Sequence, residues 1–102
     1  MFAQRAIGIS GCLFLALCLK GGCTTKEECV NAFNWAVSQK LVRGNDAYVN
    51  ISRDSFAQKI ASHFNLTYHD DYTIGKSSKI QHFYLLQNGK EIFNSGGLGF
   101  GL

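Results

Sequence analysis

The sequence predicts a small α+β domain, a two-layer sandwich in the order α-β-α-β-β-β with a mainly antiparallel sheet. Three observations carry that prediction. Two stretches, 25–43 and 52–65, repeat apolar residues at helical spacing. A third, Ile80 to Asn94, is rich in strand formers around Asn88-Gly89, the strongest short-range hairpin signal. At 102 residues there is room for one domain.

Thr25-Lys26-Glu27-Glu28 opens the first helix as a capping box, with Thr25 at the N-cap and Glu28 three residues on. Val30, Phe33, Val37 and Leu41, flanked by Cys29 and Ala36, form its apolar stripe. Arg43-Gly44 supplies a stop, a cation in the last turn followed by a glycine. Ala47, Val49 and Ile51 then alternate with Tyr48 and Asn50, as in a half-buried strand. Ser52 or Asp54 caps the second helix, whose inner face is Phe56, Ala57, Ile60, Ala61 and Phe64, and Asn65 suits its left-handed end.

After a polar turn at 69–71, Tyr72-Thr73-Ile74 reads as a short strand and Gly75 to Lys79 as a loop. The hairpin strands 80–87 and 90–94 pair Leu85 with Ile92 and Tyr84 with Phe93. Residues 96–102 form a glycine-rich tail unsuited to a packed core.

The amino terminus has a different character. Arg5 is followed by fourteen uncharged residues, Ala6 to Leu19, then Lys20 and the small pair Gly21-Gly22. That run is short of the roughly 20 residues a membrane-spanning helix needs. A positive start, a short apolar core and small residues is the layout of a secretory signal. The domain assignment is therefore an export signal at 1–22, the α+β domain at 23–95 and the tail at 96–102. Removal of the signal takes Arg5 and Lys20 with it, leaving eight cations against seven carboxylates. A chain so balanced has no basic stripe for nucleic acid.

Leu19-Lys20-Gly21-Gly22-Cys23-Thr24 resembles the junction of bacterial envelope lipoproteins, although Lys20 stands where those have an apolar residue. The resemblance covers the export segment alone. It implies an acylated Cys23 as the new amino terminus and an exported domain, at the outer membrane or in the periplasm. Ordinary cleavage after Cys18, with Ala16 and Cys18 as the small residues, instead leaves Cys23 and Cys29 free to pair as a disulfide or Cys29 to stay an inert thiol.

No motif announces a reaction. Gly75-Lys76-Ser77 ends like a phosphate-binding loop, but Asp70 stands where its first glycine belongs. Asn50-Ile51-Ser52 and Asn65-Leu66-Thr67 match the glycosylation acceptor pattern. His63, His69, Asp70 and His82 have ligand chemistry without the spacing of a structural zinc site, so neither a metal nor a cofactor is expected. Apolar residues on both hairpin faces carry the functional expectation. A two-layer fold covers one sheet face. Trp35, Tyr84, Leu86 and Phe93 then form a surface for a protein partner, making the domain a membrane-tethered interaction module. The alternatives are a secreted enzyme or metal-binding protein using His63, His69, Asp70 or His82, and a secreted inhibitor or toxin.

Overall fold

A computed structural model describes residues 11–44, 47–76 and 83–94. Three helices, α1 (Cys12–Lys20), α2 (Lys26–Ser38) and α3 (Arg53–Phe64), precede three strands, β1 (Tyr72–Lys76), β2 (Phe83–Gln87) and β3 (Lys90–Asn94). The fold is α+β with an antiparallel sheet, but its order is α-α-α-β-β-β. The expected alternation fails at two places, each with a physical cause.

The first is the apolar run. Residues 12–20 form α1, a helix apolar nearly all round, and such a helix is stable only when surrounded. It packs against α2 and α3 and also against β2 and β3. Phe14, Leu15, Leu17 and Cys18 are fully buried or nearly so, together with Phe33 and Cys29 of α2, Phe56 and Ile60 of α3, and Leu85 of β2. The Phe14 ring meets Phe33 edge-on at 5.7 Å and Phe56 at 5.8 Å, so one side chain joins three helices. Lys20 ends the helix with its ammonium 3.3 Å from Asp54 and above the Tyr68 ring.

The second is the segment 47–51. Helix α2 begins at the expected capping box but ends at Ser38, before Arg43-Gly44. Lys40 takes a left-handed φ of 60°, which lets its N–H reach the Val37 carbonyl and that of Leu41 reach Ala36. This is a Schellman closure formed without glycine. The chain then folds back on itself: Val42 pairs with Val49 in a single antiparallel bridge, and Ala47 has φ 58°. The alternating residues satisfy their backbone locally and never join the sheet.

Helix α3 matches its sequence closely. Ser52 caps it, and Asn65 at φ 56° turns the chain so that the Leu66 N–H meets the Ala61 carbonyl at 2.9 Å. In the sheet β2 lies between β1 and β3, and β1 runs on through Gly75 and Lys76. The hairpin turn has positive φ at both Asn88 (54°) and Gly89 (78°), as a type I′ turn requires. Its register is displaced from expectation by a bulge: Leu86 pairs with Glu91, but Leu85 pairs with Phe93 and Tyr84 with Asn94. Ile92 is the extra residue and is 44% exposed, while Leu85 is wholly buried. The glycine-rich tail and His82 lie outside the described residues.

The packing makes a direct prediction. Phe14→Ala in the full-length chain should lower stability by about 3–5 kcal/mol, the usual cost of emptying a buried aromatic site. Urea unfolding measures this, and a loss below about 1 kcal/mol would mean that α1 is not the centre of the core.

Candidate metal centre

The corner between α1 and α2 brings three thiols together, and local backbone rules explain how. At the end of α1, Gly22 takes φ 105°, its N–H meets the Leu19 carbonyl at 3.0 Å, and the Cys23 N–H meets the Cys18 carbonyl at 2.9 Å. This Schellman closure sets the residue three back from the helix end beside the second residue after it. Here those residues are Cys18 and Cys23. Two residues later Thr25 caps α2: its hydroxyl accepts from the Glu28 N–H at 3.1 Å, and Glu28 reaches back to the N–H groups of Thr24 and Thr25. The first turn of α2 then presents Cys29 to the same corner.

Close packing fixes the corner from behind. A side chain on Gly22 would lie 2.7 Å from Leu66 Cβ and from the Thr67 carbonyl oxygen, and one on Gly21 would lie 2.8 Å from the Ala57 carbonyl oxygen. Gly22 is therefore required twice, by its left-handed backbone and by the approach of the chain leaving α3.

The Cys18, Cys23 and Cys29 sulfurs all lie within 4.8 Å of one another, and the three residues are at most 2% exposed. Thiolates about 2.3 Å from a common ion stand roughly 3.8–4.0 Å apart. Side-chain rotation alone closes that difference. Thiolates are soft ligands that favour zinc and monovalent copper.

The cluster polarises itself. The Cys18 and Cys29 thiols donate hydrogen bonds to the Cys23 sulfur and bring its pKa down to about 4, against burial and the Glu28 charge. Burial, helped by contact with the other two sulfurs, holds Cys18 well above the ordinary thiol range. For Cys29 the hydrogen bond with Cys18 is a lowering influence. It is outweighed by the bond with Cys23, by burial and by the neighbouring negative charges, which push the thiol up to about 12. Hydrogen bonds from Thr24, backbone first, and from Thr25 hold the Glu28 carboxyl below the usual carboxylate range. Without metal, the arrangement favours the thiolate at Cys23 over the other two.

The residues singled out in the sequence are distributed otherwise. His63 is exposed and stacks on Trp35 at 4.3 Å; His69 stacks on Tyr72 at 4.3 Å. Asp70 is exposed, and its neighbour Asp71 accepts from the Gln87 amide at 2.6 Å. Among the described residues, the cysteines are the only group of three or more ligand-type side chains that meet. Their convergence, a cluster able to coordinate a metal ion, corrects the reading as an interaction module. That reading placed two helices on the sheet, whereas the helix that lies against β2 and β3 is a third one, α1. Trp35 is partly buried against His63 and Phe64. The Tyr84 ring fills the space beside Gly75, and Leu86 is half-buried. The side chain of Phe93 lies outside the described residues. The Cys23–Cys29 pair expected from ordinary cleavage belongs to the cluster, with Cys18 as the third member.

Sequence reasoning missed Cys18 by assigning it to a discarded segment. The available signal was Cys18-x4-Cys23-x5-Cys29 with glycine just before the middle cysteine, a spacing that a helix end and a helix start fold onto one point. In the reduced, metal-free protein, thiolate absorbance at pH 6 should correspond to one thiolate per chain and fall as pH drops through about 4. Cys23→Ser should abolish it, since an ordinary thiol at about 8.5 is protonated there. A parent protein with no thiolate at pH 6 would contradict the hydrogen-bonded cluster. Compared with known proteins, the chain matches no family model, no curated protein and no solved structure.

Proposed function

We propose that this protein binds one thiophilic metal ion through Cys18, Cys23 and Cys29. The observation that carries the reading is the convergence of three buried sulfurs within 4.8 Å, two joined by the closure of α1 and the third brought in by the capping box of α2. Zinc and monovalent copper are the ions that this donor set suits. The Cys23 thiolate offers an incoming cation its first ligand, and the other two thiols release their protons as they bind. Bound metal also ties the end of α1 to the start of α2 and so adds to the stability of the fold.

Titration of the reduced full chain with zinc, and separately with monovalent copper, should give one ion per chain by native mass spectrometry. Cys18→Ser, Cys23→Ser and Cys29→Ser should each weaken binding by at least about 100-fold, since loss of a supporting group alone costs 10–100-fold. Free metal at about a thousand times its Kd should add about 4 kcal/mol of stability, removable by a chelator. Binding that survives all three substitutions would reject the site.

The junction Gly21-Gly22-Cys23 supports a second proposal, an exported envelope lipoprotein acylated at Cys23. The two are exclusive for any one molecule. Processing before Cys23 removes Cys18 and consumes the Cys23 sulfur, and it takes Phe14, Leu15 and Leu17 from the core. Intact mass of the protein from its native source distinguishes them: metal binding expects Cys18 and Cys23 together on one chain. A mass equal to residues 23–102 plus acyl chains would replace the metal reading with the lipoprotein one.

A further inference from the structure

We infer that the metal-free cluster is also a two-electron redox site, in which hydrogen peroxide oxidises Cys23 first and Cys18 then closes a disulfide with it. Cys29 is left as a free thiol. The inference concerns the reduced chain without metal and stands whether or not the metal reading holds. Access chooses the first sulfur. A cleft of ≈ 100 Å³, lined by Cys23, Glu28, Asn31, Phe64 and Leu66, reaches the cluster at Cys23, and neither Cys18 nor Cys29 lines it. A single water requires about 10–15 Å³ on the same measure, so a peroxide, with its two oxygens, fits. A glutathione-type disulfide is far too large. Cys18 and Cys29 are wholly buried, and thiol oxidation follows exposure.

Backbone geometry chooses the second sulfur. The Cys23 N–H and the Cys18 carbonyl are 2.9 Å apart. An amide and a carbonyl in such contact keep their Cα atoms within about 6.8 Å, the usual reach of a disulfide. Their sulfurs already lie within 4.8 Å, and rotation about the side-chain bonds brings them together. The Cys29 N–H is bonded instead to the Thr25 carbonyl, 3.1 Å away at the start of α2.

In the first step the Cys23 sulfur attacks one peroxide oxygen. An S–O bond forms, the O–O bond breaks, and the departing hydroxide leaves as water with the Cys23 proton. Cys23 is then a sulfenic acid, which condenses with a neighbouring thiol. The Cys18 sulfur attacks the Cys23 sulfur, the S–S bond forms, the S–O bond breaks, and the hydroxyl leaves as a second water with the Cys18 proton. Two electrons pass from the sulfurs to the peroxide. An oxidised chain no longer offers three thiols to a metal.

The reduced, metal-free full chain is treated with hydrogen peroxide and, separately, with oxidised glutathione. Peroxide should lower the intact mass by two hydrogens, and glutathione should leave no adduct on Cys23. With free thiols blocked, cleavage after Arg5, Lys20, Lys26 and Lys40 puts Cys18, Cys23 and Cys29 on separate peptides. The bond should join 6–20 to 21–26, and fragmentation should place it at Cys18 rather than Cys12. Cys29→Ser should form the same bond at the parental rate, while Cys23→Ser should oxidise at least about tenfold more slowly. Asn31→Trp fills the cleft, keeps every cysteine and should also slow oxidation by at least about tenfold. Asn31 is exposed on α2, so this variant tests access even if Cys23→Ser fails to fold. A mass unchanged by peroxide, a bond that lacks Cys23, glutathione attached to Cys23, or a parental rate in Asn31→Trp would overturn the inference. A bond from Cys23 to Cys29 would overturn the choice of Cys18. Failure of the metal titrations would alter none of these expected results.

Discussion

The hydrogen bond from the Cys23 N–H to the Cys18 carbonyl, 2.9 Å long, closes α1 and decides where the chain goes next. Without that closure α1 would have no fixed exit, and α2 would not start with Cys29 facing back toward the first helix. The closure in turn depends on Gly22, because a side chain there would meet both an unfavourable φ and the backbone at Thr67. All three helices end on a left-handed residue, Gly22, Lys40 and Asn65, yet only the first joins two thiols by doing so. The buried corner follows from that reversal together with the local capping box of α2.

How much of this could be read beforehand depended on whether the governing interaction was local. The Thr25 and Ser52 caps, the Asn65 end and the Asn88-Gly89 turn are short-range, and each stands where its residues indicate. The early end of α2 was hidden because Lys40 is a costly left-handed residue, held there by the Val42–Val49 bridge that follows. The bulge at Ile92 was hidden for a related reason. Alternation alone cannot show which strand carries one residue too many, and one extra residue moves every later side chain to the other face.

The apolar run posed a harder ambiguity. A fourteen-residue stretch without charge has the same composition whether it is exported, inserted or buried, and glycine and serine near its start weaken the helix propensity that would mark a buried helix. What defines α1 in the fold is the set of surfaces around it: Phe33, Phe56 and Leu85, drawn from three elements far apart in the chain. Those long-range partners also bring Cys18 into the candidate site, so the reading of residues 1–22 as an export segment left both the element order and the thiol cluster out of view.

The position of α1 also has a consequence for how the protein is made. Its Phe14 leaves the ribosome first, while Leu85, which closes the core against it, follows 71 residues later. At roughly 5–20 residues per second, that interval is about 4–14 s. During it the most apolar segment of the chain gains first α2 and then α3 to shelter it, but no complete sheet. The helix that finally lies deepest is thus the one longest in view of the cell's targeting and chaperone machinery, and the emergence of β2 sets the moment at which folding takes it out of reach.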